Sequence, residues 1–198
     1  FNTTIYIGAP ISYGSGDKHF TNGNGMRRAW HMFVDWLNFE RGGIQLNGTN
    51  VSLTLQYVED YSSTIQVEDA AKYLIHEENV QFMFGPYSNA LTGSTMKYTS
   101  EENMLLLSGG CADLILIDNS THAYGTLPAS KLYDQASFRA LSNFGTASIA
   151  IISDNDLPTN CNNNSIQQYS KFYNLQLFEY YELDPTSPSY VADIRDIM

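Results

Sequence analysis

The chain has 198 residues, 43% of them hydrophobic and 16% charged, which is typical of a globular protein long enough to bury one or two cores. Lys and Arg number 10 against 21 Asp and Glu, so the formal net charge is -11 and the surface would repel nucleic acid. The apolar runs have the length of strands, well below the roughly 18–20 residues of a membrane-spanning helix. We therefore expect no nucleic-acid partner and no membrane span within this sequence.

The first part of the chain predicts alternating strands and helices. An apolar run predicts a strand at 5–7, a loop rich in Gly, Ser and Asn follows at 8–25, and apolar residues at three- and four-residue spacing predict a helix at 26–37. Gly42-Gly43 would end that helix in the left-handed conformation. The elements predicted next are a strand at 51–57, a helix after a Ser63 cap, a strand at 80–84, a helix at 91–102 and a strand at 104–107.

The pattern restarts after the polar stretch 118–121. It predicts an extended segment at 124–127, helices at 132–144 and 166–172, and strands at 149–153 and 175–181. The predicted fold class is α/β, a doubly wound parallel sheet in two Rossmann-like lobes, with the second lobe incomplete. Because the pattern restarts there, we expect lobe I at 1–121 and lobe II at 122–198. Lobe II is expected to be partial, because the sequence starts without Met and stops inside an apolar pattern, as a fragment would.

Five Asn-X-Ser/Thr sequons predict N-glycosylation and a eukaryotic secretory route, which would place the chain outside the cell. Their asparagines are Asn2, Asn47, Asn50, Asn119 and Asn163. The alternative, that these tripeptides arise by chance in a chain rich in Asn, Ser and Thr, stays open. Only Cys111 and Cys161 are present, so there is no disulfide framework, and whether these two are bridged also stays open.

Five short segments stand out at helix and strand ends. They are Gly42-Gly43-Ile44, Val58-Glu59-Asp60, Gly85-Pro86-Tyr87-Ser88, Leu107-Ser108-Gly109-Gly110 and Ile149-Ala150-Ile151-Ile152-Ser153-Asp154. In order and spacing they resemble the branched-chain amino-acid-binding proteins of the periplasmic-binding-protein type I family, and the related ligand-binding regions of metabotropic glutamate and natriuretic-peptide receptors. The resemblance runs from about Ile5 to the end. It implies an extracellular, small-ligand-binding sensor domain of a receptor or ABC-type uptake system, which closes around its ligand by hinge motion.

The resemblance implies a ligand crevice beyond the carboxyl ends of the strands. Its residues would be Tyr87, Ser88, Asn89, Ser108, Gly109, Gly110 and Asp154. Ser88 and Asn89 would open a helix whose free N–H groups and dipole favour an anionic group, and the two glycines would let a ligand approach the main chain. The alternative is that these residues are ordinary caps and turn formers.

Two departures from the amino-acid-binding members concern the ligand. Those members typically have Ser at the position matching Asn89 and a Thr near 110–112, where this chain has no hydroxyl. The departures favour another small polar or anionic ligand over an α-amino acid, or a degenerate site that binds a partner. The expected partners are a small-molecule ligand, either an amino acid or another small polar or anionic compound, and a membrane-bound effector or transporter, with a homodimer as a further expectation.

Motifs for catalysis are absent from the sequence: there is no phosphate loop, no nucleophile elbow and no His-Glu-x-x-His. Gly23-Asn24-Gly25 does not fit a dinucleotide fingerprint, and the four histidines lack metal-ligand spacing. We therefore expect no catalytic residue, metal or cofactor, and not an enzyme. Two alternatives stay open: a doubly wound nucleotide-dependent enzyme with its catalytic residues beyond Met198, and an adhesion or scaffolding domain that has kept the fold without the ligand.

Overall fold

The computed structural model describes residues 3–112, 120–129, 132–154 and 159–183; side chains at 153–164, 180, 182 and 183 lie outside the described part. The chain divides into two compact units, Phe1–Leu127 and Pro128–Met198. Among the described residues, no helix is long and apolar enough to cross a bilayer.

The first unit is built on a six-stranded sheet in the order β2-β3-β1-β4-β5-β6. The strands are β1 (Thr3–Ile11), β2 (Ile44–Leu46), β3 (Thr49–Glu59), β4 (Phe82–Tyr87), β5 (Leu106–Gly110) and β6 (Ala123–Gly125). The connecting helices are α1 (Phe20–Asp35), extended by a π-helical turn (Trp36–Glu40), α2 (Thr64–His76) and α3 (Asn89–Glu101). All neighbouring strands are parallel except β2, which is antiparallel to β3. The predicted doubly wound α/β architecture is confirmed.

Apolar side chains pack the helices onto the sheet. Leu74 of α2 and Met96 of α3 belong to one buried cluster with Met83 of β4, whereas Val34 of α1 packs with Ile7 of β1 in another. Each such side chain contributes about 1.5–3 kcal/mol when it leaves water. Because the strand faces are covered in this way, the loops at the carboxyl ends of the parallel strands are the natural place for a site.

The helix α2 forms as its sequence predicts. The Ser63 Oγ accepts the N–H of Gln66 at 3.4 Å, which caps the first turn. Its buried face consists of apolar residues at helical spacing: Val67, Ala70, Ala71, Leu74 and Ile75. Helical periodicity and a polar cap therefore agree here with the tertiary packing.

The loop predicted at 8–25 is wrong at both ends, because β1 continues to Ile11 and α1 already begins at Phe20. Gly23 lies inside α1, where a Cβ would overlap the carbonyl oxygen of Ser12, so the helix packs directly on the main chain after β1. The strand β2 was not expected either. It joins β3 through Asn47 and Gly48, whose φ values of 50° and 80° fit a two-residue hairpin turn.

The second unit contains a parallel pair of strands, β7 (Ser148–Asp154) and β8 (Gln176–Leu183), with the helices α4 (Gln135–Asn143) and α5 (Thr159–Phe172). Its buried residues are Phe138, Ile166, Tyr169 and Leu175. The strand β6, in the segment expected to open the second lobe, pairs with β5 in the first sheet. A lobe boundary after residue 121 in the whole protein stays a prediction.

Candidate functional site

Two neighbouring strands bring most of the expected site residues together. In the register of β4 and β5, Gly85 lies opposite Ser108 and Tyr87 opposite Gly110. The N–H of Ser88 then donates to the carbonyl of Gly110 at 3.2 Å. The β4–β5 corner, which we define as residues 87–90 with 108–112, is therefore a single structure at the carboxyl edge of the sheet.

Ser88 and Asn89 use their side chains to hold this corner. Ser88 has φ 110°, a value that costs a residue other than Gly energy, and its Oγ accepts the N–H of Leu91 at 3.3 Å as the cap of α3. The Oδ1 of Asn89 accepts the N–H of Ala112 at 3.0 Å, which ties the helix to the loop after β5. Both side chains thus stabilise loops, the alternative role that the sequence left open.

Ser108 is buried. Its Oγ accepts the N–H of Cys111 at 3.1 Å and lies 3.3 Å from the Oγ1 of Thr92 in α3. The hydroxyl therefore fixes the turn after β5 from the interior, and its expected contact with a ligand stays a prediction.

The two glycines differ in what surrounds them. A Cβ on Gly110 would lie 2.6 Å from the Cα of Tyr87 and 2.9 Å from the carbonyl oxygen of Pro86, so only glycine fits between the strand ends. A Cβ on Gly109 would meet only the end of the flexible Met26 side chain, at 3.2 Å, and the Thr126 hydroxyl at 4.0 Å. Gly109 is thus the more permissive of the two positions.

The start of α3 gives the corner its electrostatic character. The N–H groups of Asn89 and Ala90 precede the first bonds of the helix, Ala90 is exposed, and the first turn contains no acidic residue. The half-buried ring of Tyr87 lies beside the ring of His19, with centroids 5.5 Å apart. The corner thus combines helix N–H groups with an aromatic wall.

Of the comparisons with known proteins, only the one with solved structures finds matches. No protein-family model matches the sequence, and no curated protein matches it significantly. Among solved structures, a solute-binding protein of an ABC transporter from Rhodopseudomonas palustris BisB5, bound to 3,4-dihydroxybenzoic acid, matches with a TM-score of 0.79 at 11% identity, over 98% of this chain and 51% of that one. The LivJ branched-chain amino-acid-binding protein from Streptococcus pneumoniae, bound to isoleucine, also matches with a TM-score of 0.79, at 14% identity, over 98% and 54%.

An extracellular ligand-binding receptor from Rhodopseudomonas palustris HaA2 matches with a TM-score of 0.76 at 15% identity, over 98% of this chain and 51% of that one. The fold is that of the type I periplasmic binding proteins. The expected resemblance is confirmed at the level of the fold, and the chain spans about half the length of the type I binding proteins that it matches.

A second corner of this type I binding-protein fold lies at the ends of β1 and β3. Asp60 is fully buried, and its Oδ1 accepts the Ser12 hydroxyl and the N–H of Ser62. Burial raises the pKa of Asp60 above its usual range, although these two hydrogen bonds oppose the shift. Asp60 thus holds the loop after β3 to the end of β1, and the adjacent Glu59 has a similar role.

Glu59 accepts main-chain N–H groups from two loops, that of Tyr13 at 3.0 Å and that of Tyr61 at 3.3 Å. Burial raises the pKa of Glu59, the two main-chain donors lower it, and the nearby carboxylate of Asp17 raises it further. The sequence signal was present, since both acids directly follow an apolar strand and precede a polar loop. We call residues 12–17 and 59–62 the β1–β3 corner.

The other expected positions lie elsewhere in the type I fold. Asp154 is the last residue of β7 in the second unit, and its side chain is outside the described part. Asn47 is exposed in the β2–β3 turn, whereas Asn50 is exposed within β3, opposite Gln45. Asn163 lies in α5, and Asn2 and Asn119 fall outside the described residues. Glycosylation at all five stays a prediction.

The remaining candidates for chemistry are metal-ligating side chains and the two cysteines. No group of three or more His, Cys, Asp or Glu side chains within them could hold a metal ion. Cys111 is buried behind the turn that follows β5, and the side chain of Cys161 is outside the described part.

Proposed function

We propose that the chain is the ligand-binding part of an extracellular solute-binding protein or receptor, and that its β4–β5 corner binds a small carboxylate. The solved neighbours support this class of ligand, because those bound to 3,4-dihydroxybenzoic acid and to isoleucine both hold a molecule with a carboxyl group. A type I fold alone hosts more than one function, so the ligand has to be argued from the corner itself.

The start of α3 is the observation that carries the proposal. In a chain of net charge -11, this helix begins without an acidic residue in its first turn, and an exposed Ala90 leaves the main chain open to a ligand. Helix N–H groups and the helix dipole stabilise an anion at this position. The caps formed by Ser88 and Asn89 use neutral oxygens, so they hold the loops without adding negative charge.

The aromatic wall supports an organic ligand over an inorganic anion. Tyr87 and His19 offer flat aromatic surface beside the helix start, and ligand sites combine aromatic side chains with a few polar groups. A benzoate or a branched aliphatic acid would use both parts. Closure by hinge motion, a membrane-bound transporter or effector, N-glycans and a homodimer belong to this proposal for the whole protein.

Substitution of Ala90 tests the proposal, because it should change stability and affinity in opposite directions. An acidic side chain in the first turn of α3 stabilises the helix by about 0.3–1 kcal/mol. The same charge would repel a bound carboxylate and weaken binding about ten-fold or more. Ala90→Asp should therefore unfold at a higher temperature yet bind 4-hydroxybenzoate, benzoate or isoleucine more weakly, with Ala90→Asn as the uncharged control.

Calorimetry and thermal unfolding of the parent and both variants provide the readout. Equal weakening in Ala90→Asp and Ala90→Asn would assign the effect to size and not to charge. If none of the three acids binds the parent protein, a carboxylate-binding corner is excluded for the classes that its neighbours bind, and a scaffolding role is favoured.

A further inference from the structure

A cavity lies beside β3, the strand near the side edge of the first sheet, away from the β4–β5 corner. The short strand β2 pairs only with Thr49–Val51, so within the described residues no strand covers the remaining length of β3 on this side. Residues of β3, the loops of the β1–β3 corner and α2 enclose a depression of about 530 Å³ there. This volume lies within the range of about 300–1,000 Å³ that is typical of small-molecule sites.

Aromatic rings and carboxylates dominate the lining of this cavity. We call it the tyrosine pocket; the residues used here are Tyr13, Tyr57, Tyr61, Tyr73, Glu59 and Asp69. Tyr61 and Tyr73 are 61% and 47% exposed, so their rings are available to a molecule that enters from solvent. The faces of such rings carry negative electrostatic potential and attract cations.

The two inner rings of the pocket, those of Tyr13 and Tyr57, are already in contact with the side chain of Arg27. The guanidinium carbon of Arg27 lies 5.0 Å from the ring centroid of Tyr13 and 5.8 Å from that of Tyr57. Burial raises the pKa of Tyr57 to about 12, so this ring stays a neutral phenol at physiological pH. No Lys or Arg of the described residues lies over the rings of Tyr61 or Tyr73, which leaves the outer half of the pocket without such a partner.

The charges around the pocket favour a cation as well. The carboxylate of Glu59 accepts the main-chain N–H of Tyr13, which also lines the pocket, and the carboxylate of Asp17 lies near that of Glu59. Asp69 pairs with Lys72 at 3.6 Å, but both side chains are largely in water, where such a pair contributes little. A cation in the pocket would therefore meet the carboxylates of Glu59 and Asp69, while Arg27 lies over the rings of Tyr13 and Tyr57.

From this arrangement we propose that the tyrosine pocket binds a small organic cation of the quaternary-ammonium or amine class. The pocket is separate from the proposed carboxylate site, because β1 lies between β3 and β4 and two strand spacings amount to roughly 10 Å. The chain would thus carry an anion site and a cation site on one sheet. The proposed cation site does not depend on the proposed function.

Choline and its uncharged isostere 3,3-dimethyl-1-butanol test this proposal directly, because they share shape and differ in charge. Calorimetric titration of the whole chain should show choline binding at least about ten-fold more tightly than the isostere. Tyr73→Leu and Tyr61→Leu should each weaken choline binding by roughly three- to thirty-fold, the range for one cation–ring contact. Tyr73→Phe keeps the ring and should remain within about two-fold of the parent.

Two controls separate the pocket from general effects. Tyr124, 56% exposed on β6, lies across the sheet from the pocket, so Tyr124→Leu should leave choline binding unchanged. Thermal unfolding of each variant checks the fold, and exposed tyrosines should tolerate these changes. Equal binding of the isostere, absence of choline binding at about 10 mM, or equal loss in Tyr73→Phe and Tyr73→Leu would overturn the proposal.

Discussion

The β1–β3 corner and the β4–β5 corner lie on the same edge of one sheet, yet they hold their loops with opposite chemistry. In the first, the carboxylates of Glu59 and Asp60 accept the main-chain N–H groups of the following loops. In the second, the neutral oxygens of Ser88, Asn89 and Ser108 do the same work. Negative charge therefore accumulates at one corner and is kept from the other.

This difference explains how one acidic chain can have one site for an anion and another for a cation. Local potential depends on groups within a few ångströms more than on the net charge, because water and salt screen exposed charges beyond roughly 8–10 Å. An anion is favoured where neutral caps leave a helix start uncovered. A cation is favoured where carboxylates and tyrosine rings line the same pocket. The next three predictions test the packing and charge that make the corners different.

The largest expected effect concerns Gly23, which packs α1 against the β1–β3 corner. A Cβ there would overlap the carbonyl oxygen of Ser12, and main chain cannot move aside as a flexible side chain can. Gly23→Ala should therefore lower the free energy of unfolding by about 3 kcal/mol or more. Gly25 lies in the same helix with open space around its Cβ position, so Gly25→Ala should raise stability by about 0.5–1 kcal/mol. Denaturant unfolding of the two variants measures both changes in the free energy of unfolding. Equal changes in Gly23→Ala and Gly25→Ala would contradict this packing.

A similar contrast should hold at the β4–β5 corner. Gly110→Ala should cost about 2–3 kcal/mol, because its Cβ would press on the main chain at Pro86 and Tyr87. Gly109→Ala should cost less than about 1 kcal/mol, since only the end of Met26 has to move. Chemical denaturation measures both values. A tolerant Gly110 would mean that β4 and β5 do not approach as closely as the structure shows.

A smaller effect is expected at Asp60, and it should depend on pH. Asp60→Ala removes the acceptor of Ser12 and Ser62 and should cost about 1–3 kcal/mol. Asp60→Asn keeps an acceptor but cannot ionise. Because the pKa of Asp60 is raised in the folded state, the folded protein binds this proton more tightly than the unfolded chain does. The free energy of unfolding of the parent protein should therefore fall as the pH rises from about 4 through the raised pKa.

The stability difference between Asp60→Asn and the parent should therefore move in favour of the variant over that rise in pH. Unfolding curves recorded at several pH values between about 4 and 7 check the trend. A difference that is constant with pH, or that moves in favour of the parent, would show that Asp60 is not destabilised by burial.

The sequence predicts those elements whose local signals agree with their packing. The helix α2 has a Ser63 cap and a regular apolar face, and both are used as expected. The start of α1 is different, because a stretch containing Gly23 and Gly25 is a poor helix former, and Gly23 is there in close contact with the main chain of Ser12. The hairpin at Asn47-Gly48 had a clear turn signal, but the three-residue β2 is too short to show a period.

At the β4–β5 corner, too, one part was predictable from the sequence and another part was not. Strand order and register bring Ser88 and Ser108 to one edge, as the pattern of parallel strands predicts. The direction of each side chain was not predictable, because whether Ser108 points inward depends on the tertiary packing of Thr92 against it. The tyrosine pocket left no sequence signal, since its residues come from separate segments that share only an abundance of Tyr and acidic residues.

The most direct measurement is a titration of the ¹⁵N-labelled protein with 4-hydroxybenzoate and isoleucine, followed through the amide resonances. A carboxylate at the β4–β5 corner would shift the amides of Asn89, Ala90, Gly109 and the residues that follow Gly110, in a saturable manner and with one affinity. The β1–β3 corner, with its own N–H groups held by carboxylates, should change little. Saturable shifts confined to the β1–β3 corner or to the second unit, or no shift with either acid, would contradict a carboxylate site at the start of α3.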